Sequence, residues 1–161
     1  RARKDGWRRN GKPGFVHTTD FEGNPVLTER LQWVLCEGIC ATVALRRATL
    51  DDGGHAGHVE AYEHSYHSWI DYLNDYMMLE PGVIARALNE DNEPMEGTIS
   101  ARPDIYHTIQ AFLIGRVPLW PPLGAALSRG LLDHPEGAPR RPQNRRGKGG
   151  RGQRSIFSWG E

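Results

Sequence analysis

The chain has 161 residues, enough for one ordinary domain, and its 20 basic and 20 acidic residues cancel. The balance is uneven: residues 1–12 carry six Lys/Arg and one acid, residues 140–161 carry seven and one, and residues 13–139 keep seven basic residues against eighteen acids. An acidic body argues against a nucleic-acid-binding fold in the middle, no apolar run approaches the ~20 residues that span a membrane, and nothing resembles a signal peptide.

In chain order, Phe15-Val16-His17-Thr18 has strand character and Glu22-Gly23-Asn24-Pro25 is turn chemistry, so residues 13–27 predict two short strands around a turn. A first helix is predicted from about Thr28 to Thr49 and ends at the basic pair Arg46-Arg47. On a helical wheel, Leu31, Leu35, Ile39, Thr42 and Leu45 share one side, and Trp33, Cys40, Val43 and Ala44 cover the other. A helix without a wet face is expected to be surrounded by protein. Glu37 sits at its centre, one turn after Trp33. A carboxylate there must be paired, hydrogen-bonded or turned toward a wet cavity. It reads either as part of a polar-ligand site beside an aromatic plane or as a structural acid bridged to an arginine. Cys36 and Cys40, one turn apart on this helix, suit a disulfide poorly. They read as reduced, buried thiols of a cytoplasmic protein.

A second helix is predicted from about Gly57 to Leu79. Val59, Tyr62, Tyr66, Trp69, Leu73 and Tyr76 recur at helical spacing, and acidic and histidine side chains fill much of the rest. One buried and one half-exposed helix joined by the loop Asp51–Gly54 suggest two concentric helical layers. Val83–Leu88 and Gly97–Ser100 could pair across the turn Asn89–Pro94. A third helix runs from Asp104 to about Gly115, with Ile105, Tyr106, Ile109, Phe112 and Leu113 as its apolar stripe, and Pro121-Pro122 opens a short last helix to about Leu132. From His134 onward the Arg/Gly/Pro-rich sequence reads as disordered. The resulting division is a basic segment 1–12, a folded domain 13–133 and a tail 134–161. The start at Arg1, without Met, suggests a fragment.

Arg30-Leu31-Gln32-Trp33-Val34-Leu35-Cys36-Glu37 and Pro103-Asp104-Ile105-Tyr106-His107 stand about seventy residues apart, the second leading into Phe112–Leu119. Upstream lie Gly14–Thr18 and Phe21–Val26. In this order and spacing, the motifs resemble the C-terminal part of the N-acylglucosamine 2-epimerase superfamily, most closely its bacterial D-mannose isomerase branch, over about Asp5 to Asp133. The resemblance implies an all-α fold, the last third of an (α/α)6 barrel with short β-hairpins in its loops. It implies aldose–ketose isomerisation or C2 epimerisation of a monosaccharide, through proton removal beside a carbonyl and an enediol, with no cofactor and no metal. His107 matches the family's C-terminal catalytic histidine, and its place in the first helical turn favours neutral imidazole. Glu37 matches an acidic partner that holds hydroxyls or orients a base. Trp33 matches the sugar-stacking tryptophan, and Asp104 is a second substrate-binding candidate. The family's other catalytic histidine and its sugar-binding arginine come from helices upstream of this sequence.

The chain also departs from the pattern. Val83–Leu88 lacks an aromatic and an acid common in relatives. Ile99 and Ala101 stand where Trp and Gly are frequent, His17 where Tyr is usual, and Gln32 where His or Arg is common. Two other readings compete. His55, His58, His64 and His67 with Glu60 and Glu63 could chelate a metal, but without an HExxH arrangement and on a wet face they read as solvated surface. Arg140 to Arg154 with Phe157 and Trp159 could bind nucleic acid, but reads as a solvated tail. Inner helices lacking neighbours predict self-association.

Overall fold

A computed structural model describes residues 2–95 and 105–135. Helices dominate: α1 (Ala2–Gly6), α2 (Gln32–Asp51), α3 (Ala56–Tyr72), α4 (Ile105–Leu113) and α5 (Leu123–Ser128). A π turn (Leu73–Met77) continues α3, and a 3₁₀ turn (Ile114–Arg116) continues α4. Six two- or three-residue strands complete the described part: β1 (Thr18–Thr19), β2 (Pro25–Leu27), β3 (Arg30–Leu31), β4 (Met78–Glu80), β5 (Val83–Ile84) and β6 (Ala87–Leu88). They form three antiparallel pairs, β1–β2, β3–β6 and β4–β5.

The first long helix starts four residues later than its sequence pattern predicts. Arg30 and Leu31 are extended and pair with Leu88 and Ala87. The Arg30 guanidinium, 1 % exposed, donates to the carbonyls of Pro13 and Thr28 and to Oδ1 of Asn10. Tertiary partners therefore outbid helix propensity at this end. The first N–H of α2 is capped by a backbone oxygen: Gln32 donates to the carbonyl of Arg86 (2.9 Å). Gly14 makes this junction possible. Its φ is +104°, and a Cβ there would lie 2.6 Å from Arg30 and from the Tyr72 hydroxyl.

α2 is the central helix and packs on both α3 and α4. Leu35, Cys36 and Ile39 of α2 meet Trp69, Tyr72, Leu73 and Met77 from α3 and its π turn, with Phe15, Leu88 and Ala111 closing the core. Trp7 joins this cluster, its ring centroid 5.0 Å from Phe15 and 5.5 Å from Tyr72. Gly38 lets the Phe15 and Trp69 rings approach the α2 backbone, since a Cβ there would sit 3.2 Å from either ring.

Three expectations are corrected. α2 is not walled in on all sides: Trp33, Ala41, Leu45 and Ala48 are exposed and Glu37 is half-exposed. These positions fall on one stripe three and four residues apart, which His107 of α4 covers only in part, beside Trp33 and Glu37. The second concerns the partners of Val83–Leu88: Val83-Ile84 also pairs with Met78–Glu80 and Ala87-Leu88 with Arg30-Leu31, while the return across Asn89–Pro94 is present as far as the Leu88–Pro94 bridge, and Gly97–Ser100 lies outside the described residues. The last helix stops at Ser128, where Gly130 (φ +66°) donates to Leu127 and ends the turn. Asp104, the segment Gly97–Ser100 and nearly all of the tail 134–161 lie outside the described residues. No described helix is long and apolar enough to cross a membrane.

Candidate active site

The α2–α4 contact carries the chemistry. Ala111 is buried against α2, and Gln110 reaches the sulfur of Cys40. Gln32, buried at the start of α2, donates to the Thr108 hydroxyl and approaches Cys36 Sγ at 3.8 Å. These links set the height and rotation of α4 along α2. One residue before Thr108, His107 turns its ring onto the α2 stripe, where Nδ1 lies 2.8 Å from Glu37 Oε1. A carboxylate only accepts hydrogen bonds, so Nδ1 donates, and the lone pair of the neutral ring lies on Nε2.

Trp33 lies one turn before Glu37, its ring centroid 6.1 Å from that of His107 and tilted by 41°. It is 44 % exposed and offers a flat apolar face beside the dyad. His107 is more covered than Glu37, 23 % against 45 % side-chain exposure. The structure thus brings three of the four candidates, Trp33, Glu37 and His107, to one patch, and the fourth, Asp104, is not described. Glu37 has no arginine partner among the described contacts; the bridging role belongs instead to Arg46, which donates to Glu63 on α3 (2.5 and 2.8 Å).

Sequence reasoning missed the supporting links. Gln32, Thr108 and Gln110 were visible only as polar residues on apolar helices, and that was the available signal: a buried amide needs a partner. Arg47 was read as a helix-end charge. It acts as a clamp, donating to the carbonyls of Ile114, Gly115 and Val117 and satisfying the end of α4. At the start of α3, His55, which precedes the helix, and His58 meet edge to face with centroids 6.0 Å apart. Among the described residues, no group of three or more His, Cys, Asp or Glu side chains is placed to hold a metal ion.

A family model described as N-acylglucosamine 2-epimerase (GlcNAc 2-epimerase) matches residues 1–111. The chain belongs to this family. Two D-mannose isomerases are among its relatives. The one from Pseudomonas cannabina pv. alisalensis is 35 % identical over 124 residues, which is 76 % of this chain and 28 % of that protein. The one from Thermobifida fusca is 34 % identical over 128 residues, 76 % of this chain and 29 % of that protein. A crystal structure of D-mannose isomerase superposes with a TM-score of 0.55 at 20 % identity, covering 70 % of this chain and 27 % of that one. That likeness shows the fold. As a family member, the chain spans less than a third of the length of these relatives.

Proposed function

We propose that this chain carries the base half of a monosaccharide isomerase site of the aldose–ketose, mannose-to-fructose type, in the last third of an (α/α)6 barrel. The observation that carries it is the 2.8 Å contact between His107 Nδ1 and Glu37 Oε1 beside the Trp33 ring. Glu37 fixes the imidazole tautomer and orientation. Nε2 of His107 then removes the proton from C2 of the aldose and returns it at C1, while the hydroxyl proton passes from O2 to O1. The enediol between these steps develops charge that needs positioned donors. Trp33 supplies a stacking surface for the apolar face of the sugar. No metal or organic cofactor enters this scheme, and the reaction runs on acid–base chemistry alone.

Proton abstraction can be read separately from net conversion. Incubated with D-mannose in D2O, the purified chain is expected to form little fructose but to exchange deuterium slowly at C2. Exchange should fall about 100-fold in His107→Ala and about 10-fold in Glu37→Gln, the range for loss of a general base and of its orienting partner. Exchange that survives His107→Ala unchanged, or robust conversion to fructose by the isolated chain, would contradict the proposal.

A further inference from the structure

Two grooves on the described surface lie beside α2. One, of about 290 Å³, runs between α2, α3 and Gly115, but its guanidinium groups are engaged: Arg46 holds Glu63, and Arg47 holds three carbonyls. The other, of about 360 Å³, is lined by Asp5, Phe15, Val16, His17, Thr19 and Val34. Its size lies at the lower end of the ~300–1,000 Å³ typical of small-molecule sites.

One adjacency ties this second groove to the dyad, and its lining suits a sugar. Val34 forms part of its lining and lies three residues before Glu37, so the two side chains neighbour each other on α2. Around the α2 circumference, Glu37 therefore stands between His107 on one side and the groove-lining Val34 on the other. His17 stands at the bend just before β1 and Thr19 ends that strand, and both side chains line the groove. Finally, the lining has the composition of a hydroxyl-binding wall. Phe15, Val16 and Val34 are apolar, and the half-buried Asp5, His17 and Thr19 supply an acceptor and two groups able to donate and accept.

We infer that His17 and Thr19 form the second wall of the sugar site, binding the hydroxyls of the substrate remote from the reacting carbons. This rests on the proposed function and adds specificity-determining residues to it. A sugar seated with C2 at His107 would run across Glu37 toward Val34, and its far hydroxyls would meet the imidazole of His17 and the hydroxyl of Thr19. Neither residue moves the transferred proton.

The test is a chemical-shift titration of the labelled chain with D-mannose, comparing wild type with Thr19→Val, Thr19→Ser and His17→Phe. Resonances of Trp33 and His107 should shift together with those of Val34 and Thr19. Thr19→Val and His17→Phe should each weaken binding about five- to tenfold, the scale of one lost hydrogen bond. Thr19→Ser, which keeps the hydroxyl, should bind within about twofold of wild type. Shifts at Trp33 and His107 with unchanged affinity in both Thr19→Val and His17→Phe would overturn the second wall and leave the dyad standing. No shift at any of these residues under saturating sugar would overturn both. Superimposable amide spectra of the free variants control for folding, and the serine variant separates loss of a hydroxyl from loss of the fold.

Discussion

Cys40 shows how the dyad's surroundings act on a single group. Burial first, and the negative charge of Glu37 one turn away second, push its thiol up from 9.0 to about 11. Folded Cys40 thus keeps its proton in a pH range where the unfolded thiol ionises. The stability this contributes is intact below about pH 9 and is lost as pH rises toward about 11. Only the thiolate reacts with alkylating or disulfide reagents. At pH 8, therefore, Cys40 is expected to label about 100-fold more slowly in the native chain than in urea; equal native and unfolded rates by mass spectrometry would contradict this. Both cysteines are free and buried, as their one-turn spacing suggested. The meeting of His107 with Glu37 was legible only through the family motifs, because nothing in local spacing connects residues seventy positions apart. The open face of Trp33 was likewise legible only through the family motifs, since an aromatic at helical spacing otherwise reads as core.

At the scale of elements, α2 divides residues of similar character into two fates. Ile39 is fully buried against α3, while Leu45, six positions later on the open part of the stripe, is 48 % exposed. Ile39→Ala removes packed atoms and leaves a cavity, so it should cost about 2–5 kcal/mol in urea unfolding. Leu45→Ala should stay within ~0.5 kcal/mol. Comparable losses at both positions would mean that the stripe is covered in solution. The long helices were readable because a 3.6-residue pattern sustained over four turns is hard to mistake. The α2 start was not, because Thr28–Leu31 fits the helical pattern, and only the contacts of Arg30 with Asn10, Pro13 and Thr28 draw it into a strand. The further partners of Val83–Leu88, in Met78–Glu80 and Arg30-Leu31, were not legible for a related reason. A two-residue strand carries no periodicity, and its partner is chosen by where α3 delivers the chain.

For the molecule as a whole, two apolar surfaces lie open among the described residues. One is the α2 stripe with Trp33 and Leu45. The other is the side of α4 turned away from α2, with Ile105 at 68 % exposure and Tyr106, Ile109 and Phe112 beside it. Contiguous apolar area of this kind is rare on a soluble monomer and drives association. The charge distribution offers a rival cause, since basic ends could bind the acidic body of another copy. Salt separates the two. Ionic pairing weakens as the Debye length shrinks to about 3 Å near 1 M, whereas apolar contact persists or strengthens. The expected result is a weight-average mass by light scattering that rises with protein concentration and does not fall at 1 M NaCl. Ile109→Lys with Phe112→Lys should shift the chain toward monomer without lowering its melting temperature, because both side chains are already half in water. A concentration-independent monomer would show that these faces are too small or too broken to associate. Association abolished by salt but unchanged by the two lysines would move the cause from the helix faces to the charged ends.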